Sequence, residues 1–486
     1  MIISQLYRLM ADGDGEELYK CAVKVSREVA SKEAIKQYIP ALHDVANPNN
    51  RPDKPIMVPS ATEKDPLTQK PLMVQDHAKV TRAPLMIQKY IIGQKGSFAR
   101  GNGVILKPTI ENSKVFDQVK RNWSENKTDF DLKEIAVRQM SETQCAVIFY
   151  GEKAKESFDQ FKFRYKIVSP LKGDTIIGFF DDDTDDLIAV SREYKRGKKV
   201  MYDFYTMNPI TKLCEIWKYE NRKPKMIPTY EPGENEIPIE TGTAHQIIKT
   251  PYTKLPIVLF EQEEGECEDT SAIIHELESG FSDYLTQMGY TADPILFAKG
   301  AAMDLPAKGV AGKFIETADP AGDLKYLTPD NATEARALQF NMLQKYIFSL
   351  NRAVLLDLET LKGLGAVSGA ALERYLIDCY MEATDRQQGS WGKGVQRMVN
   401  WLVSQWQELI DKDRDLRVDV IFSKYSMQDD LERVTLATLA NGGKAVVDHE
   451  TSIGIAGLVD NAGDTLKKIE EETKTEVVTP PVDVVV

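Results

Sequence analysis

Between residues 145 and 260 the chain changes character, and this block limits the folds open to it more than any other feature. The runs "CAVIFYG", "FKFRYKIVSP", "TIIGFFD", "LIAVSREYK", "KVMYDFYTM" and "LCEIWKYE" are short, apolar or alternating, and separated by turn residues. That is the pattern of a mostly antiparallel sheet. Helical periodicity lies before and after the block and does not alternate with its strands. The expected class is therefore α+β and not a doubly wound fold.

The helices around this block can be placed by their spacing. Residues 1–45 read as helical, most clearly in "EELYKCAVKVSREVASKEAIKQYI", and 46–75 read as a loop or arm because of Pro48, Pro52, Pro55, Pro59, Pro66 and Pro71. A helix is expected over 76–94, ending at Gly93. Two more follow over 113–126, with Val115, Val119 and Trp123 on one face, and over 131–144. After the strand block comes an acidic connector (Glu261, Glu263, Glu264, Glu266, Glu268, Asp269), read as a solvated linker. Helix 271–289 carries Ile274, Leu277, Phe281, Tyr284 and Met288 at steps of three and four. Residues 290–328 are broken by prolines and glycines around short strands ("ILFA", "KFIET", "LKYL"). Helix 331–357 has two apolar stripes. Phe340, Leu343, Ile347, Leu350 and Val354 form one, and Ala335, Leu338, Met342, Tyr346 and Ala353 the other, with Glu334, Asn341, Lys345 and Arg352 between them. A helix apolar on two faces needs two packing partners. A buried core helix and a helix wedged between neighbours in a ring both meet that need. A glycine-bearing loop at 358–369, a long helical stretch over 370–411 broken near Gly389, Gly392 and Gly394, a strand in "LRVDVIFSKYS" and further helices complete the chain.

Composition narrows the function. A chain of 486 residues with 42% apolar and 28% charged residues can bury a sizeable core, and its length suggests two or three domains. A net charge of -13 argues against wrapping nucleic acid by neutralising phosphates. Five scattered cysteines with no C-x-x-C pair argue against a disulfide framework or zinc site and for a reducing compartment. The N-terminus has no unbroken apolar h-region, and no stretch reaches the ~18 apolar residues of a membrane span. Gly363, Gly365 and Gly369 do not form a dinucleotide loop, because the last glycine comes one residue late and the segment follows a helical pattern. The run Asp181–Asp186 lacks the glycine and glutamate of a calcium loop and reads as a solvated turn. With no nucleophile elbow, no P-loop and no metal spacing, neither an enzyme nor a cofactor is expected.

The order of these elements over roughly 75–460 resembles the portal proteins of tailed bacteriophages, of the siphovirus type. "ATEKDPLTQKPLMVQDHAKVTRAPLMIQKYIIGQ" is similar to the arm and helix that open the family's wing, although Pro84 falls inside that helix. "YTKLPIVLFEQEEGECEDTSAIIHELESGFSDYLTQMGYTADPILFAKG" resembles its Pro-Ile strand, acidic connector, first stem helix and entry to the clip. "GAVSGAALERYLIDCYMEATDR" resembles the exit of its tunnel loop, with Ser368, Gly369, Ala371 and Leu372 as the signature. "FSKYSMQDDLERVTLATLANGGKAVVDHETSI" resembles its closing wing strand and first crown helices.

The resemblance implies an N-terminal helix and arm at 1–75, a wing at 76–270, stem helices at 271–289 and 329–357 around a clip at 290–328, and a tunnel loop at 358–369. Wing again at 370–425 and a crown and tail at 426–486 would follow. It implies a ring, usually of twelve subunits, at one capsid vertex of the virion, assembled in the host bacterial cytoplasm. Double-stranded DNA is driven through such a ring by the terminase large subunit. Major capsid, scaffolding and head-completion or adaptor proteins are the implied partners, with no membrane. Lys362 with Gly363 and Gly365 in the loop, then Lys345 and Arg352, are candidate residues for DNA in the channel; a solvated or salt-bridging residue is the alternative for each cation. Ile274, Leu277, Phe281, Phe340, Leu343, Ile347, Leu350 and Val354 are the candidate subunit interface. Another structural virion protein, a head–tail connector or capsid component, is the other class kept open.

Overall fold

A computed structural model describes residues 25–64, 71–110, 112–152, 162–180, 184, 186–220, 245–291, 295–299, 323–327, 333–355 and 374–423, and short pieces between 434 and 469. The continuous apolar run of strand β4 (Gln144–Glu152) explains the centre of the fold. Side chains of a strand alternate between faces, so a strand apolar at every position needs cover on both. In β4, Cys145, Val147 and Phe149 enter one core, while Ala146 and Ile148 enter another. Its neighbour β11 (Ile257–Glu261) divides in the same way, with Val258 and Phe260 on one side and Ile257 and Leu259 on the other. With β5 (Lys162–Val168) they form a three-stranded antiparallel sheet in the order β11-β4-β5.

One face of this sheet packs on helices. Helix α2 (Ile87–Arg100) supplies Ile92 and Ala99; α3 (Lys114–Glu125) supplies Val115, Val119 and Trp123. Helix α4 (Thr128–Glu142) adds Leu132, Ile135, Ala136 and Met140, and α8 (Ser390–Ile410) adds Trp391, Val395, Val399 and Leu402. Trp401 of α8 stacks on Phe149, with ring centroids 4.4 Å apart. The other face packs on a five-stranded antiparallel sheet ordered β10-β9-β8-β7-β6. Its strands are β6 (Thr175–Phe180), β7 (Leu187–Arg196), β8 (Lys199–Met207), β9 (Cys214–Glu220) and β10 (His245–Lys249). A Cβ at Gly178 in β6 would lie 2.8 Å from Leu259, so the sheets meet closely there. The expected α+β class and all six expected strands are present.

Several boundaries differ from expectation. The proline-rich arm is a ribbon of β1 (Lys54–Lys64) and β2 (Pro71–Ala78). Pro55 and Pro59 lie an even number of residues apart, so both missing N–H groups fall on the same edge, where a strand tolerates proline. The helix expected over 76–94 starts at Ile87, beyond Pro84, because proline disfavours helical backbone in the residue before it. It runs through Gly93 and ends at Gly101, whose φ is +62°. Helix 131–144 is α4. The long stretch after 370 is α7 (Ile377–Gln388) and α8, separated at Gly389. A Cβ at Gly392 would lie 1.6 Å from the Gln387 carbonyl oxygen, and one at Gly394 would lie 2.4 Å from the Phe260 ring. These glycines let α8 turn sharply away from α7 and seat on β11.

The remaining elements are α1 (Val25–Tyr38), β3 (Val104–Pro108) paired with β14 (Val418–Phe422), and α5 (Ser271–Thr291). Strands β12 (Ile295–Lys299) and β13 (Asp323–Leu327) pair antiparallel, and α6 (Thr333–Leu350) follows. Helix α6 stops at Leu350, before the expected 357, where Arg352 takes a φ of +48°. The expected "KFIET" strand, the loop at 358–369 and the helices before residue 25 lie outside the described residues. The chain divides into two compact units, Met1–Val354 with Glu382–Ser423, and Leu355–Met381 with Lys424–Val486.

Candidate functional site

Helices α5 and α6 form an antiparallel pair joined through the β12–β13 ribbon. Phe340 of α6 meets Phe281 and Tyr284 of α5 edge to face, with centroids 6.0 and 6.2 Å apart. Gly280 leaves room for that ring, since a Cβ there would lie 3.3 Å from it. Arg336 sits over the Tyr284 ring at 5.7 Å. At the other end, Asn351 donates through Nδ2 to the Thr270 hydroxyl and to the Ile347 carbonyl, both at 2.8 Å, which ties the end of α6 to the start of α5.

The eight candidate interface residues divide into groups. Ile274, Leu277 and Ile347 are buried within the chain itself; Phe281, Phe340, Leu343 and Val354 are half-buried; Leu350 is exposed. The second stripe of α6 is largely uncovered: Leu338 is 62% exposed, Met342 47% and Tyr346 55%, and Leu350 at 61% extends it. Ala353 of that stripe is buried. Lys345 is exposed. Arg352 is exposed and bonds to Asp385 at 2.9 Å. Lys362, Gly363 and Gly365 lie outside the described residues.

A buried ion cluster sits beside the end of α6. The Lys95 ammonium of α2 lies 2.6 Å from Glu266, and the Arg386 guanidinium of α7 donates to both oxygens of that carboxylate at 2.8 Å. Glu382 joins it, 3.1 Å from Arg386 and 3.7 Å from Lys95, and reaches Arg352 at 3.9 Å. Burial alone pushes the Glu266 carboxyl up, but Arg386 and Lys95 together hold it below the usual carboxylate range. The acidic connector is thus not a plain solvated linker: Glu266 is buried and paired, and Glu268 accepts from Gln37 at 2.6 Å. Lys95 carried a readable signal. It falls at helical spacing among the buried Ile91, Ile92, Phe98 and Ala99, and a lysine on a buried stripe requires an acid.

A second buried pair secures the N-terminal part. His43 lies against Glu278 of α5, Nδ1 to Oε1 at 2.7 Å, and its Nε2 lies 2.8 Å from the Gln37 carbonyl. Among the described residues no group of three or more His, Cys, Asp or Glu side chains is placed to hold a metal ion. Nor is any helix among them long and apolar enough to cross a membrane.

The described residues thus combine mixed helices and antiparallel sheets with an antiparallel helix pair joined through a small β ribbon. The family model described as "Phage portal protein, SPP1 Gp6-like" matches residues 31–478. The chain belongs to this family. No curated protein matches the chain. The portal match covers both sheets, the α5–α6 pair and the segment that follows, so the portal function in DNA packaging attaches to the chain as a whole and not to one domain.

Proposed function

We propose that this portal subunit closes into a ring through the exposed stripe of α6, and that the ring is the conduit for double-stranded DNA at one capsid vertex. The observation that carries the reading is the two-sidedness of α6. Its Phe340–Ile347 side is occupied by α5, while Leu338, Met342, Tyr346 and Leu350 remain uncovered. Apolar side chains repeated along one exposed helical face mark an association surface, and a head-to-tail contact repeated by rotation closes a ring. The seam therefore runs along Leu338–Leu350, with Ile274, Leu277 and Ile347 behind it holding the stem together. The number of subunits that the resemblance implies is twelve.

The terminase supplies the work, and the ring acts as a structural channel without catalysis of its own. A net charge of -13 per chain suits a wall that DNA slides past, because each phosphate neutralised adds affinity and therefore friction. Lys345 and Lys362 supply transient phosphate contacts. Arg352, already paired with Asp385, is the weaker candidate. The 358–369 segment is the tunnel loop, 290–328 the clip that meets terminase and then the head-completion proteins, and the region after 426 the crown inside the capsid.

Negative-stain imaging of purified protein tests the reading, with rings around a central channel as the expected result. Leu338→Asp with Tyr346→Asp should give folded monomers on size-exclusion chromatography with light scattering. Intact rings from that variant would move the seam elsewhere.

A further inference from the structure

The chain passes between its two compact units at three places: after Val354, before Glu382 and after Ser423. On the wing side, all three points are held by α2 or by the turn that ends it. At the first, the Gln94 carboxamide binds the Val354 backbone both ways. Its Nε2 donates to the Val354 carbonyl at 2.8 Å, and its Oε1 accepts from the Val354 N–H at 2.9 Å. The Tyr90 hydroxyl reaches the same carbonyl at 3.4 Å. At the second, Lys95 lies near Glu382, Glu266 links Lys95 to Arg386, and Gln387 donates to the Ala99 carbonyl at 2.8 Å. At the third, the Ser423 N–H donates to the Gly103 carbonyl at 3.0 Å, where β14 pairs with β3.

Helix α2 is itself closely packed. Ile91, Ile92 and Ala99 are buried, and Gly96 approaches α4 so closely that a Cβ there would lie 2.8 Å from Val137. A two-hydrogen-bond clamp on a single residue just after α6, set on a closely packed helix, does what a strand pair does elsewhere: it fixes the backbone direction at that residue.

We infer that α2 is the anchor for the segment between residues 355 and 381, and that Gln94 is the positioning residue that sets where that segment begins. The inference rests on the portal reading for its consequence, since 358–369 is there the loop that meets DNA. Gln94 touches no DNA in this scheme. It acts through Val354, keeping the start of the loop in one register so that the same loop residues face the channel in every subunit.

The chemistry of the clamp gives a specific test. An amide both donates and accepts. In Gln94→Leu both bonds are lost at nearly constant shape. In Gln94→Glu the ionised carboxylate accepts from the Val354 N–H but is repelled by the Val354 carbonyl, whereas the protonated acid has a donor and an acceptor again. Hydrogen exchange of the Val354 amide, read in assembled rings against wild type at the same pH, should be about tenfold faster in Gln94→Leu at both pH 4.5 and pH 7.5. In Gln94→Glu, which keeps the acceptor for the Val354 N–H but sets a carboxylate against the Val354 carbonyl, it should lie between wild type and Gln94→Leu at pH 7.5 and return toward wild type at pH 4.5. A merely space-filling Gln94 would show no such return. Should Gln94→Leu fail to form rings, the two-pH comparison within Gln94→Glu carries the same decision.

Packaging by the cognate terminase into procapsids should start normally with Gln94→Leu and proceed several-fold more slowly. Unchanged Val354 exchange in both variants overturns the clamp. Lost protection with an unchanged packaging rate overturns the positioning role. Wild-type rings that support no packaging overturn the portal reading instead, and leave the exchange result standing as a fact about α2.

Discussion

The body around β4, the proposed wing, and the α5–α6 pair, the proposed stem, bury their apolar residues by different means. In the wing, the three-stranded sheet is covered on one face by α2, α3, α4 and α8 and on the other by the five-stranded sheet, so every side chain of "CAVIF" finds a partner inside one chain. In the stem, α6 finds a partner for one face only and leaves Leu338, Met342, Tyr346 and Leu350 in solvent. The body around β4 covers both faces of its central sheet within one chain, whereas the outer stripe of α6 has no such cover, and on the proposed reading a second copy supplies it. Substitutions in the wing should therefore change the stability of the isolated subunit, and substitutions on the outer stem should change association.

The largest effect is expected at Trp391, which is fully buried under β14 with its ring 5.0 Å from that of Phe422. Trp391→Ala should cost about 3–5 kcal/mol of subunit stability in chemical denaturation. A loss below about 1 kcal/mol would show that the wing does not depend on that core. Next comes Gly394→Ala, which places a methyl group 2.4 Å from a Phe260 ring carbon. Overpacking of this kind costs about 1–3 kcal/mol, and a neutral result would mean that α8 can lift from β11 freely.

The stem supplies the intermediate case. Phe340→Ala removes two edge-to-face contacts, with Phe281 and Tyr284, from a half-buried site. Such pairs are worth about 0.5–1.5 kcal/mol each beyond burial, so a loss of about 1–3 kcal/mol in the monomer is expected, confined to α5 and α6 in hydrogen exchange. If exchange rose equally in the wing, the two regions would form one cooperative unit and the contrast between them would fail.

How far each region could be read in the sequence follows the same division. The strand block was legible because continuous apolar runs bounded by turn residues can only be buried strands or buried helix pieces, and their length decides for strands. The two stripes of α6 were legible as stripes, but periodicity carries no information on which stripe meets α5 and which stays open. That depended on the aromatic fit of Phe340 against Phe281 and Tyr284. The proline-rich arm read as a loop because proline counts against strands, while the spacing that puts Pro55 and Pro59 on one edge matters only once a hairpin partner is known. Gln94 was invisible: a glutamine on a helix has no sequence mark to say that it binds the backbone of a residue 260 positions away. Glu266 was hidden among acids that look alike until Lys95 and Arg386 distinguish it.

The smallest effect expected is one of pH, and it concerns the joint where the N-terminal part meets the stem. His43 has acceptors at both ring nitrogens, the Glu278 carboxylate and the Gln37 carbonyl, so both nitrogens must carry protons for both bonds to form. Burial works against the charged ring, but the bond to Glu278, the charge of that carboxylate, the Gln37 carbonyl and Asp44 outweigh it, and the pKa of His43 is raised above that of an ordinary histidine. Glu33, Lys36 and His275 also line the cavity beside it. A raised value in the folded state means that the stabilisation is fully present below about pH 6.5, the unfolded histidine value, and is lost as pH rises through the folded value. One proton is at stake, so stability should fall by at most about 1.4 kcal/mol per pH unit above pH 6.5 and level off at higher pH. Hydrogen exchange over residues 30–46 should quicken in the same window, while exchange around β4 stays flat. In His43→Ala the slope should vanish. A wild-type slope that persists in His43→Ala would assign the titration to another group and leave this joint insensitive to pH.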